Sequence, residues 1–219
     1  MEFRQTFTNV SPAPVVTPTG SRGPSRHFPW ILKPDMMAPG HLVLGASLPK
    51  NTATQIVSGT LRSDYIIASG ISAACAHATG VAALQKSAHP DWSPAAIRSA
   101  IVTTANPLDN TLRPIRDGKD NLPASPLVMG AGHIDPNKAL DPGAAIYEAI
   151  VTAPEDYVVT VSPATLVFGK KYEIQSYNIT LMGIGSENRK ISFGELVWSE
   201  ESGNHKVRSP IVLFHLGLL

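Results

Sequence analysis

Residues 69–105 read SGISAACAHATGVAALQKSAHPDWSPAAIRSAIVTTA, from Ser69 to Ala105. Between Ser72 and Ala88 the run is dense in alanine, holds no proline and has Val81 and Leu84 as its larger apolar members, which predicts a buried helix. A second helix is predicted from Pro94 to about Thr104. Ser93 stands at its N-cap, Pro94 at its first position, and Ile97, Ala100 and Ile101 recur at spacings of three and four.

The first helix follows the apolar, strand-like run Tyr65-Ile66-Ile67-Ala68, so Ser72 lies where a strand hands over to a helix. A helix N-terminus presents unpaired N–H groups and the positive end of the dipole. A tetrahedral oxyanion formed when Ser72 attacks an acyl group would be stabilised there. The same position also suits a serine that only caps a helix. The nucleophile elbow of α/β-hydrolases fits poorly, because it calls for glycine where this chain has Ala74.

Working outward, residues 1–63 are rich in Pro, Gly, Ser and Thr, with short apolar runs such as Leu42-Val43-Leu44, and read as short strands joined by irregular loops. Beyond Pro107 loop composition returns, ending in the turn-rich connector GAGHIDPNKALDPG from Gly130. From Tyr157 the pattern alternates: Val159 and Val161, Leu166 and Phe168, then Tyr177, Ile179 and Leu181. Together with Ser-Pro, Gly-Lys and Ser-Gly turn signals, this predicts a small antiparallel β-sandwich, with a domain boundary near Gly143.

Composition narrows the function classes. Of 219 residues, 43% are hydrophobic and 16% charged, a globular mixture, and 18 basic residues against 17 acidic ones leave no footprint for nucleic acid or an anionic membrane. Cys75 is the only cysteine, so neither an internal disulfide nor a paired-thiolate metal site can form. No apolar run reaches the roughly 18 residues of a membrane span, and the opening MEFRQTFTNV lacks the apolar core of a signal peptide. Asn9-Val10-Ser11 and Asn178-Ile179-Thr180 match the N-glycosylation pattern, the first weakened by Pro12.

The run from Ser69 to Ala105 resembles the nucleophile region of subtilisin-like serine proteases of the plant subtilase type. QTFTNVSPAPVV, SRGPS, ILKPDMMAPG and GAGHIDPNKALDPG resemble further segments of that family in the same order. The tail, VTVSPATLVFGKKYEIQSYNITL with FGELVWSEESGNHKVRSPIV, resembles the fibronectin type III-like domain that closes those proteins. The implied fold is α/β: the C-terminal part of a subtilisin-like domain over residues 1–143, then a truncated fibronectin type III-like β-sandwich over residues 144–219. By this resemblance Ser72 is the catalytic nucleophile of a serine endopeptidase that cleaves a polypeptide substrate through an acyl-enzyme. No metal or organic cofactor is implied, and the implied location is the extracellular or cell wall space.

Departures from the family pattern carry expectations of their own. Ile71, Ala73 and Ala76 stand where the family's GTSM-type motif and following Ala-Cys-Pro-His have Thr, Met and Pro. The family's aspartate and histidine precede the serine in glycine-rich motifs, and nothing before Ser72 resembles either. His77, five positions along the helix, is turned about 140° away from Ser72. His27, His41, His89 and His133 have no supporting motif. The 219 residues alone are therefore expected to show negligible proteolysis, and the alternative is a non-catalytic remnant that binds another polypeptide. Arg22 and Asp35 read as structural. Leu140-Asp141-Pro142-Gly143 runs directly into AAIYEAIVTAP, which implies an internal deletion that leaves an unpaired edge and bare core residues around Ile146 and Ile150.

Overall fold

The computed structural model describes residues 10–48, 52–56, 59–141, 146–169, 173–184 and 191–214. Its first part holds strands β1 (Val15–Val16), β2 (Val43–Ala46), β3 (Thr52–Ile56), β4 (Gly59–Arg62) and β5 (Tyr65–Ala68). Helices α1 (Ile71–Ala88) and α2 (Pro94–Thr103) follow, then β6 (Arg116–Asp117), α3 (Pro126–Met129) and α4 (Pro136–Leu140). β2 pairs antiparallel with β5, β3 antiparallel with β4, and β1 parallel with β6.

Both long helices stand where the sequence puts them. Ser93 caps α2 by accepting a hydrogen bond from the Ala96 N–H, and Pro94 opens the helix, where a missing N–H costs nothing. α4 falls inside the stretch read as a connector. Asp135 accepts from the Lys138 N–H and Pro136 follows it, the same start signal repeated over a single turn.

Two clusters hold this part together. Val81 of α1, Ile101 of α2, Ile134 and Ala139 of α4 form one; Val16, Ile115, Ala124 and Met129 form the other. The expectation of a buried α1 is met on one stripe only: Val81 and Gln85 are buried, whereas Ile71, Ser72, Cys75, Ala76 and His77 are exposed. The reason is geometric. Among the described residues α2 and α4 pack on one flank of α1, and the β2–β5 pair leaves Leu44 68% and Ile67 63% exposed.

Arg22 and Asp35 are structural, as expected. The Arg22 guanidinium pairs with both carboxylate oxygens of Asp117 and also donates to the Pro18 and Gly20 carbonyls, tying residues 17–22 to β6. Asp35 joins Lys33 to Arg98 of α2. Arg22 holds the Asp117 carboxyl below the ordinary carboxylate value of 3.8, against the opposing effect of desolvation. A carboxyl whose folded pKa is lowered contributes stability that is complete above 3.8 and is lost as pH falls through the folded value. Arg22→Ala is expected to cost about 2 kcal/mol at neutral pH. Urea denaturation should show that difference shrinking once Asp117 is protonated, and an equal cost at all pH values would contradict this account.

The second part comprises β7 (Ile146–Thr152), β8 (Tyr157–Ser162), β9 (Thr165–Val167), β10 (Asn178–Gly183), β11 (Ser192–Glu200) and β12 (Lys206–Leu213). One sheet runs β12-β11-β7-β9 and the other is the antiparallel pair β10-β8. Tyr147, Leu166, Leu196 and Trp198 form the core between them, with Val161 and Phe168 against it. The two parts meet where Arg208 of β12 donates to the Ala131 carbonyl at 2.8 Å while pairing with Glu195.

The expected bare edge around Ile146 and Ile150 is met in part. β7 pairs with β11 along residues 147–152 but with β9 only along residues 146–148, so its first half is interior, whereas Ile150 lies beyond β9; both Ile146 and Ile150 are exposed. Ile150 is exposed because it faces away from the core, into a cleft of about 550 Å³ against Thr103 and Asn106 of the first part. Among the described residues β10 too has a strand partner, β8, on one side only. Gly143, the expected domain boundary, and Asn9 lie outside the described residues, whereas Asn178 is exposed at the start of β10.

Candidate active site

Strand β5 delivers the chain to Ser69 and Gly70, and two contacts fix the turn: the Leu42 N–H donates to Ser69 Oγ at 2.9 Å, and the Gly70 N–H to the Gly40 carbonyl at 2.7 Å. Gly70 then adopts φ 148°, a conformation that a side chain would resist, and becomes the N-cap of α1. Its carbonyl accepts from the Ala73 and Ala74 N–H groups, and no side chain caps the helix. The N–H groups of Ile71 and Ser72 consequently have no intrahelical partner. No acidic residue sits in the first turn to offset the dipole.

Ser72 occupies the second position of α1 and is exposed. Beside the helix head lies a cleft of about 600 Å³ lined by Gly70, Ile71, Ala74, Pro39, His41 and His133, among others. Ile71 and Ala74, both close to the serine, form part of its wall. An exposed hydroxyl and unpaired N–H donors beside it are two of the ingredients for acyl transfer, and a cleft adjoins the helix head, although Ser72 itself is not among the residues that line it.

A base is a different matter. His77 turns its ring back along the helix, and Nδ1 donates to the Ala73 carbonyl at 3.0 Å, a local hydrogen bond that occupies one ring nitrogen. Burial lowers the pKa of His133 below 6.5, with nearby His77 adding to the effect, so its imidazole stays neutral more readily than a free one. Its backbone is pinned by a reciprocal pair of 2.8 Å hydrogen bonds with Asn106. The absence of a surrounding motif gave no sign that His133 would line the cleft, because only the fold brings residues 39–41 and 133 together. His89 bonds the Leu140 carbonyl and stacks on Trp92. Among the described residues no histidine is hydrogen-bonded to Ser72 Oγ. The His205–Glu200 pair, at 2.8 Å, belongs to the β11–β12 turn, and His205 lines the cleft at Ile150. No cluster that could hold a metal ion occurs among the described residues.

Residues 7–132 match the subtilase family, and residues 138–213 match a fibronectin type-III domain. The chain is 40% identical over 286 residues to the subtilisin-like protease SBT3 of Solanum lycopersicum, an alignment covering 96% of this chain and 38% of that protein. It is 30% identical over 300 residues to the subtilisin-like protease SBT1.6 of Arabidopsis thaliana, covering 100% of this chain and 39% of the relative. A shorter match, 46% over 141 residues, covers 64% of this chain and 18% of Arabidopsis thaliana SBT1.5. The chain therefore spans about two fifths of the length of the first two relatives. An alignment of 286 residues that takes in 96% of a 219-residue chain must carry long gaps on this chain's side, in line with an internal deletion. On the matched subtilase and fibronectin domains together, this chain belongs to the subtilase family of plant subtilisin-like proteases.

Proposed function

We propose that Ser72 is the nucleophile of a peptide-hydrolysing site, and that the chemistry is completed only when a histidine and an aspartate are supplied from sequence beyond these 219 residues. The observation that carries this reading is the exposed Ser72 hydroxyl at an uncapped helix head, beside a cleft walled by Gly70, Ile71 and Ala74. In the reaction Ser72 Oγ attacks the peptide carbonyl, the base takes its proton, and the tetrahedral oxyanion settles against the helix N-terminal N–H groups. Collapse expels the amine, which receives that proton, and water then releases the acyl group. The substrate is a polypeptide, the setting the extracellular or cell wall space, and the peptidase part and sandwich divide near Gly143.

The exposed apolar surface of β2, β5 and the head of α1 supports this reading, because it is the surface that an upstream half would cover. The test is to join the chain to the part of a family member that precedes its nucleophile and to assay peptide hydrolysis. Activity that disappears in Ser72→Ala is expected. A folded fusion that is inactive, or one that retains activity without the Ser72 hydroxyl, would remove the assignment. The open edge of the sandwich favours a second reading, a binding role that needs no catalysis.

A further inference from the structure

In the β10-β8 sheet, Ile179 lies opposite Val161 and Leu181 opposite Val159, and Val161 packs on the sandwich core. Ile179 and Leu181 therefore point to the core side, yet they remain 40% and 42% exposed. Side chains facing inward stay wet when the strand that should flank them is missing. β10 pairs with β8 on one side, and among the described residues no strand pairs with it on the other. Its free edge presents a row of unpaired backbone N–H and C=O groups.

We infer that this edge pairs with β10 of a second copy of the chain, antiparallel about a two-fold axis through Thr180, to make a continuous β8-β10-β10-β8 sheet. The sequence supports a copy as occupant. Residues 174–184, IQSYNITLMGI, carry no charge and no proline, so neither of these two devices that keep an edge from meeting itself is present. With the axis at Thr180, Ile179 of each copy lies opposite Leu181 of the other on the core side. Both wet pairs are then covered at once, and the interface is self-complementary, as two-fold symmetry requires. Thr180 meets its own copy on the outer side, in a row continued by Thr160, its partner on β8.

That geometry gives a test that does not confuse lost pairing with lost folding. Thr180 is exposed and on the outer side, so Thr180→Lys and Thr180→Glu leave the core untouched while placing like charges opposite each other across the axis. Sedimentation equilibrium of the purified chain is expected to show a concentration-dependent dimer, weakened about tenfold or more by either variant alone. An equimolar mixture of the two should restore a heterodimer, because opposite charges then face each other. A wild-type chain that stays monomeric across the range, a dimer indifferent to both variants, or a mixture that fails to restore it would overturn the inference. Open-ended oligomers indifferent to Thr180 would also overturn it, since they require a head-to-tail contact rather than a two-fold one.

Discussion

A fluorophosphonate probe is expected to leave the folded 219-residue chain unlabelled at Ser72 under conditions that label an intact serine protease to completion. The probe needs a hydroxyl activated by a base and little else. Ser72 has the exposure, and the helix head supplies the N–H donors, but the nearest histidine in sequence, His77, spends its Nδ1 hydrogen bond on the Ala73 carbonyl. In subtilisin, the measured precedent, removal of the histidine alone costs about a million-fold in kcat. The remaining oxyanion donors and cleft would keep only a residue of catalysis, on the order of 10³ to 10⁴ over water. Mass spectrometry of the probe adduct, beside Ser72→Ala, decides the matter. Stoichiometric labelling of Ser72 would mean that a histidine of this chain acts as base, with His41 and His133 the ones to examine because they line the cleft beside the head of α1.

How much could be read from the sequence depends on how local the determinant is. α2 was legible because its cap, its first-turn proline and its apolar spacing lie within a dozen residues, and the β-sandwich because alternation is a local pattern. α4 carried a legible Asp-Pro signal but is a single turn, too short for periodicity to show. What could not be read is what depends on distant partners. The exposure of α1 follows from which elements face it, and the position of His133 at the cleft from a backbone pairing with Met37 and Asn106. The abrupt junction after Gly143 implies an unpaired edge but not every strand that bears one, since strand order in a sheet is not sequence order. Ser72 itself stands out only as a hydroxyl at a strand-to-helix junction, and the role proposed for it rests on the longer resemblance around it.

Gly132→Ala is expected to unfold the peptidase part, although the change adds one carbon to a segment with loop composition. Gly132 has φ 127°, where a side chain is strained, and an added Cβ would lie 2.4 Å from the Asn106 carbonyl oxygen and 2.6 Å from its carbon. Those atoms cannot retreat cheaply. Asn106 is held to His133 by two hydrogen bonds, and the Gly132 carbonyl accepts from the Met37 N–H at 2.8 Å. Gly130, at φ 63°, makes the same kind of approach to the Asp35 carbonyl, so Gly130 sets how closely residues 35–36 pass the connector and Gly132 how closely residues 106–107 do. Backbone strain and overpacking at roughly 1–3 kcal/mol each put the combined cost at about 4 kcal/mol or more, comparable with the whole stability of a marginal domain. Gly80→Ala provides the contrast. A Cβ there meets nothing within 4 Å inside α1, so that variant should gain about 0.5–1 kcal/mol from helix propensity. Urea denaturation followed by circular dichroism compares the three chains. Equal midpoints for Gly132→Ala and wild type would show that the close passage of residues 106–107 over the connector does not set the stability of this fold.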